Sequence, residues 1–174
     1  MIEWFDNHCH LSENAEEEIL KARKALVAGF INVGTDFETS SEAIEKAKIH
    51  PDVWATAGVH PHEARKGIEG IEGLLEDSNV VAVGEAGLDY HYDHSPREDQ
   101  KKVFAEQIEM ANKSELPLVI HTREAWEDTF KILDSEGVPK SIVFHCFTGG
   151  TTCLLYTSPS PRDATLSRVP AWGW

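Results

Sequence analysis

Cysteine, positive charge and long apolar runs are all scarce in this sequence of 174 residues. Its three cysteines, Cys9, Cys146 and Cys153, are too few and too scattered for a disulfide framework, and they point to a reducing, cytoplasmic setting. No apolar stretch approaches the roughly 20 residues needed to cross a bilayer. The opening residues do not build a signal peptide either, so no membrane partner is expected. Sixteen Lys and Arg face 30 Asp and Glu, a formal net charge of −14. A surface of that sign repels nucleic acid, which excludes a bulk electrostatic DNA binder. A protein that reaches phosphate through bound cations is not excluded. No required protein partner is evident.

What the sequence does have is alternation. Apolar runs at residues 3–9, 30–34, 53–60, 79–88, 116–122 and 141–147 read as six strands. Helical patterns separate them. Asn14 with Glu17 predicts a cap for a helix carrying Ile19, Ala22 and Leu26, with Gly29 just past its end. Thr39 with Glu42 predicts a second capping box, for a helix to about His50. A weaker helix is expected around residues 70–76. Ser95-Pro96-Arg97-Glu98 marks the start of a helix presenting Phe104, Ile108 and Ala111. The last helix shows Trp126, Phe130 and Leu133 and stops near Gly137. Strand-helix alternation with crossovers of this length implies a parallel α/β sheet. Six apolar runs that each end in a polar residue favour a barrel, with an open sheet as the alternative.

The texture changes after Gly150. The last 24 residues hold three prolines, seven Ser or Thr, no lysine and no clear period. "CLLYTSPSPRDATLSR" is similar to translated sequencing-adapter read-through. The expected organisation is therefore a partial barrel over residues 1–150 and a non-native or disordered tail over 151–174.

Chemistry concentrates at the strand ends. In "FDNHCHLS" (residues 5–12) a strand puts Asp6, His8 and His10 on one face, because side chains alternate with period two. Cys9 then points the other way, as a small buried filler. Glu85 lies near the end of the fourth apolar run, His121 ends the fifth and His145 the sixth. In a parallel barrel these ends converge on one mouth. Four imidazoles and a carboxylate suit Zn²⁺, Mn²⁺, Fe²⁺ or Ni²⁺ and are too nitrogen-rich for Ca²⁺. A carboxylate can bridge two cations, so Glu85 between histidine pairs is what a binuclear site requires.

The segments "FDNHCHL", "AGVHPHEA", "VGEAGLDYHYD", "LPLVIHTREA" and "VFHCFTGG" together resemble the TatD-type metal-dependent hydrolases and deoxyribonucleases. The fold this implies is a TIM-type (β/α)8 barrel, here incomplete with about six strands. The resemblance implies two divalent cations (Mg, Mn or Zn), one held by His8, His10 and Glu85, the second by Glu85, His121 and His145. It names Glu85 as the catalytic carboxylate and implies phosphodiester hydrolysis on DNA, on single strands or 3′ ends. Family members also carry a late "TD" aspartate on the last barrel strand. No such segment occurs here, and Asp163 lacks that context. The chain therefore reads as C-terminally truncated, with impaired hydrolysis.

Other residues at the same mouth are candidates for substrate contact. His60 and His62 follow the third run, Arg123 can hold a phosphate bidentately, and Tyr90 can stack on a base. The plain structural alternative is a solvated loop histidine for His60 and His62 and a helix-start salt bridge for Arg123. Asp6 and Asp89 are candidates for orienting the ligands. Two other functions fit the same fold. One is amide or ester hydrolysis on an amidohydrolase-like barrel; the other is a non-catalytic metal-binding fragment.

Overall fold

A computed structural model of the protein describes residues 3–149 and the backbone of Thr165 and Leu166. Its elements run β1 (Trp4–Cys9), α1 (Ala15–Lys24), β2 (Val27–Val33), α2 (Phe37–Ile49), β3 (Val53–Ala57), a 3-10 turn (Pro61–Lys66), α3 (Ile71–Leu74), β4 (Val80–Asp89), α4 (Arg97–Ser114), β5 (Leu118–Arg123), α5 (Trp126–Glu136) and β6 (Ile142–Phe144). A two-residue strand, β7 (Thr165–Leu166), pairs in parallel with β6. The strands lie in sequential order and every pair is parallel. That order, one crossover helix after another, builds an α/β half-barrel. The sheet curls enough for His8 of β1 to stack on His145, just past β6. Apart from the backbone of β7, the expected 151–174 tail and Asp163 lie outside the described residues. No described helix is long and apolar enough to cross a membrane.

The two central strands show why the apolar runs are continuous. Residues 82–89 of β4 are buried throughout, and Leu118, Val119 and Ile120 of β5 likewise, because helices cover the outside and side chains fill the inside. One core joins β4, β5 and β6 to α4 and α5 through Leu88, Phe104, Ile108, Ile120 and Leu133. A second joins β2 and β3 to α1 and α2 through Ile19, Phe30, Ile44 and Val53.

Three expected helix ends differ. The first helix stops at Lys24 instead of reaching Gly29, and the chain reverses at Leu26, whose φ is 68°. Its carbonyl is then free to accept the Trp4 amide at 2.8 Å, which starts the β1–β2 pairing three residues early. Gly29 serves β2 instead: a Cβ there would meet the Phe5 ring at 2.4 Å. The second helix begins at Phe37, because Asp36 caps it and exchanges hydrogen bonds with Thr39. Ser95 does not cap α4; its hydroxyl donates to the His62 carbonyl at 2.7 Å and accepts the Arg65 amide.

Candidate metal centre

Glu85 is the middle of the site. It comes from β4, is 3% exposed, and its own amide is anchored on the Gly34 carbonyl. Its Oε2 lies 3.3 Å from His8 Nε2, and its Oε1 lies 3.1 Å from His121 Nδ1 and 4.0 Å from His60 Nε2. Two groups of ligand atoms share this carboxylate. His8, Glu85 and His145 form one, His60, Glu85 and His121 the other, with the atoms of each group within 4.8 Å of one another. His10 adds to the rim of the same cleft, an opening of about 230 Å³ lined also by Thr35, His60, His62, Glu63 and Glu85.

The imidazoles are oriented from behind. His10 Nδ1 donates to the Val33 carbonyl at 3.0 Å, leaving Nε2 as the basic nitrogen. His121 Nε2 lies 3.0 Å from Asp89 Oδ2, which leaves Nδ1 facing Glu85. An outer partner that fixes the tautomer is the usual support for a metal-ligating histidine. His145 Nδ1 is buried and has no hydrogen-bond partner. A buried orphan nitrogen costs free energy unless something binds it, so the donor set fits divalent cations better than it fits a protein-only network.

Electrostatics follows the geometry. Burial would raise the Glu85 carboxyl, but hydrogen bonds with His121 and His8 hold it well below the usual carboxylate range. Burial also raises Asp89, and His121 overrides it in the same way. Burial pushes His60 down to about 3, and burial together with neighbouring His8 takes His145 down to about 4. His121 goes the other way: burial lowers it, but Asp89 and Glu85 bring it up to about 9. The cation-free site therefore presents neutral His60 and His145 beside an ionised Glu85, while His121 keeps a proton between Glu85 and Asp89 that it gives up on ligating a cation.

Several supporting residues carried no sequence signal strong enough to single them out. Gly87 has φ 137°, and a Cβ there would sit 1.9 Å from the His121 carbonyl oxygen, so only glycine lets β4 approach β5 beside the ligands. The Gly84–Glu85 peptide is cis. Two buried glutamines of α4 reach back to the strand ends. Gln107 both accepts from and donates to the Val59 backbone, at 2.8 and 2.9 Å, next to His60. Gln100 does the same for Asp89, at 2.8 and 3.2 Å. Polar residues seven apart on the apolar face of a helix were the available clue.

The structure brings His8, His60, Glu85, His121 and His145 together, with His10 alongside. It places His60 among the candidate ligands, and the histidine groupings differ from those the resemblance implies. His62 bonds Asp89 Oδ2 at 3.1 Å, at the edge of the site. Arg123 is exposed, its guanidinium 4.7 Å from the Tyr92 ring centre. Tyr90 has other partners: its hydroxyl donates to Asp128 at 2.7 Å and Arg97 covers its ring. Asp6 accepts the His8 amide. Cys9 is inert, its thiol donating to the Ile31 carbonyl and pushed up to about 12 by burial.

Comparison with known proteins places this geometry in context. Residues 5–157 match the family described as TatD related DNase. The chain is 39% identical over 155 residues to the uncharacterized metal-dependent hydrolase YabD of Bacillus subtilis (strain 168), covering 83% of this chain and 61% of that protein. It is 33% identical over 144 residues to the 3'-5' ssDNA/RNA exonuclease TatD of Salmonella typhimurium, covering 79% and 55%. The crystal structure of YJJV, a TatD homolog from Escherichia coli K12, superposes with a TM-score of 0.78 at 26% identity, over 88% of this chain and 63% of that one. The chain thus spans less than two thirds of the length of these relatives.

Proposed function

Because the chain belongs to the family of TatD related DNases, we propose that its site takes two divalent cations and hydrolyses phosphodiester bonds at the ends of single-stranded nucleic acid. The observation that carries this reading is the sharing of Glu85, one oxygen toward His8 and the other toward His121 and His60. His8, Glu85 and His145 would hold one cation and His60, Glu85 and His121 the other, with His10 completing the shell. Two cations held this way would polarise a phosphoryl oxygen and lower the pKa of a water molecule beside it.

The chain's own residues prepare the site for that chemistry. Glu85 stays ionised, so it compensates cationic charge without having to lose a proton first. Asp89 holds His121 and His62 from the side away from Glu85, fixing both rings. Arg123, exposed two residues past His121, is placed to take a phosphate oxygen pair in fork geometry. The net charge of −14 makes these local groups necessary, since the rest of the surface repels a polyanion. The matched relatives named as exonucleases act on ssDNA and RNA, and the same substrate class is proposed here, in the cytoplasm.

The test is incubation with 3′-ended single-stranded DNA and RNA oligonucleotides in Mg²⁺ or Mn²⁺, beside amide and carboxylic ester substrates and an EDTA control. Shortening of the oligonucleotides that stops in EDTA supports the reading. Turnover of the amide or ester alone would overturn it in favour of another hydrolysis.

A further inference from the structure

Beyond the metal ligands, the segment that follows β4 builds a second feature. Asp89 uses its two oxygens for different tasks. Oδ2 holds His62 and His121, while Oδ1 accepts the amides of His91 and Tyr92, both at 2.9 Å. That turn sends the Tyr92 side chain outward, where it is 50% exposed. The His94 ring lies nearly parallel to it, with planes 6° apart and centroids 5.6 Å apart. Arg123 approaches the Tyr92 ring at 4.7 Å. His62 meets both Tyr92 and His94 edge-on, at 5.6 and 4.5 Å.

Tyr92 and His94 present parallel π-faces at the surface, with a cation beside them and His62 packed edge-on behind. Its chemistry also restricts the ligand. Arg123 makes no ion pair with a carboxylate among the described residues, although the chain has 30 acidic groups. A planar cation beside aromatic faces repels cationic ligands and suits a π-system carrying a phosphate. The patch connects to the candidate metal centre through His62, then Asp89, to His121 and Glu85.

We infer that Tyr92, His94 and Arg123 form a base-stacking subsite that seats a nucleobase near the bond to be cut. This rests on the phosphodiesterase reading above and adds where the base sits. Stacking is tolerant of sequence, because every base has a π-face, so the subsite would recognise the presence of a base rather than its identity. The phosphate beside that base would then lie between Arg123 and the metal ligands.

The experiment is fluorescence anisotropy with a labelled single-stranded hexanucleotide whose phosphorothioate links resist cleavage, in Mn²⁺. It is compared with a matched strand whose two 3′-terminal residues lack bases. The parent chain should bind the intact strand about five- to a hundredfold more tightly than the abasic one. Tyr92→Leu should abolish that preference with little change in affinity for the abasic strand, whereas Tyr92→Trp should retain it. Melting temperature and Mn²⁺ content of both variants, unchanged from the parent, show that neither has merely misfolded. Equal binding of intact and abasic strands by the parent, or the same preference in Tyr92→Leu, overturns the subsite and leaves the phosphodiesterase reading standing. Binding of neither strand overturns both.

Discussion

His8 and His145 come from opposite ends of the six-strand run, yet their rings stack with centroids 3.5 Å apart and planes 13° from parallel. The contact is where the curl of the sheet becomes chemistry, because it brings the first and last strand ends against Glu85. It also concentrates an unmet demand, the unpartnered Nδ1 of His145. Replacing His145 by Phe keeps a flat ring in the stack and removes the orphan nitrogen. In EDTA, His145→Phe should be as stable as the parent or more stable by roughly 1 kcal/mol. In Mn²⁺ it should lose part of the stabilisation that cation binding gives the parent. Thermal melts with and without Mn²⁺ measure both effects.

The imidazoles predict how stability of the cation-free protein depends on pH. His60 and His145 are lowered, to about 3 and about 4. Their unfolded forms bind protons first, so stability falls as pH drops below about 6.5. His121 is raised to about 9, so what it contributes is full below about 6.5 and is lost as pH rises toward 9. Stability in EDTA should therefore peak near pH 6.5. His121→Gln should flatten the alkaline limb only. Melting temperatures from pH 5 to 9.5 check both statements.

Two glycines give a matched contrast. Gly87→Ala forces a Cβ to within 1.9 Å of the His121 carbonyl and a left-handed φ on alanine, and should cost roughly 2–4 kcal/mol. Gly73 in α3 has nothing within 4 Å of such a Cβ, so Gly73→Ala should be neutral or gain up to about 1 kcal/mol. Urea unfolding of the two variants separates them.

Gln107 should behave as a structural support for His60. Gln107→Leu leaves the Val59 amide and carbonyl buried without partners, at a cost of roughly 2–4 kcal/mol. Gln107→Glu retains the acceptor toward the amide and should be the milder change at low pH. Chemical denaturation at pH 5 and pH 8 measures the difference.

Much of this was legible in the sequence because the physics is local. Period-two alternation grouped His8 with His10, whose rings do lie 5.3 Å apart although β1 ends at Cys9 and His10 follows it, and continuous apolar runs marked β4 and β5 as covered on both faces. Chain reversals were harder to place. Leu26 turns with a positive φ that nothing in its side chain announces, and Asp36 outcompeted Thr39 as the cap. Asp89 was named as an orienting group, but Gln100 and Gln107 act across the fold without a local signal, and His60, expected beside the substrate, stands among the candidate ligands. His60 sits in a loop whose approach to Glu85 depends on how β3 and β4 pair, which a single sequence does not display.

The central claim is that one carboxylate serves two cations. Isothermal titration of the EDTA-stripped, dialysed chain with Mn²⁺ tests it most directly, run beside Glu85→Gln and His60→Ala. The account predicts two ions for the parent, one for His60→Ala, and neither at comparable affinity for Glu85→Gln. Two ions bound by Glu85→Gln at the parent's affinity, or a single ion whose binding His60→Ala leaves unchanged, would contradict it.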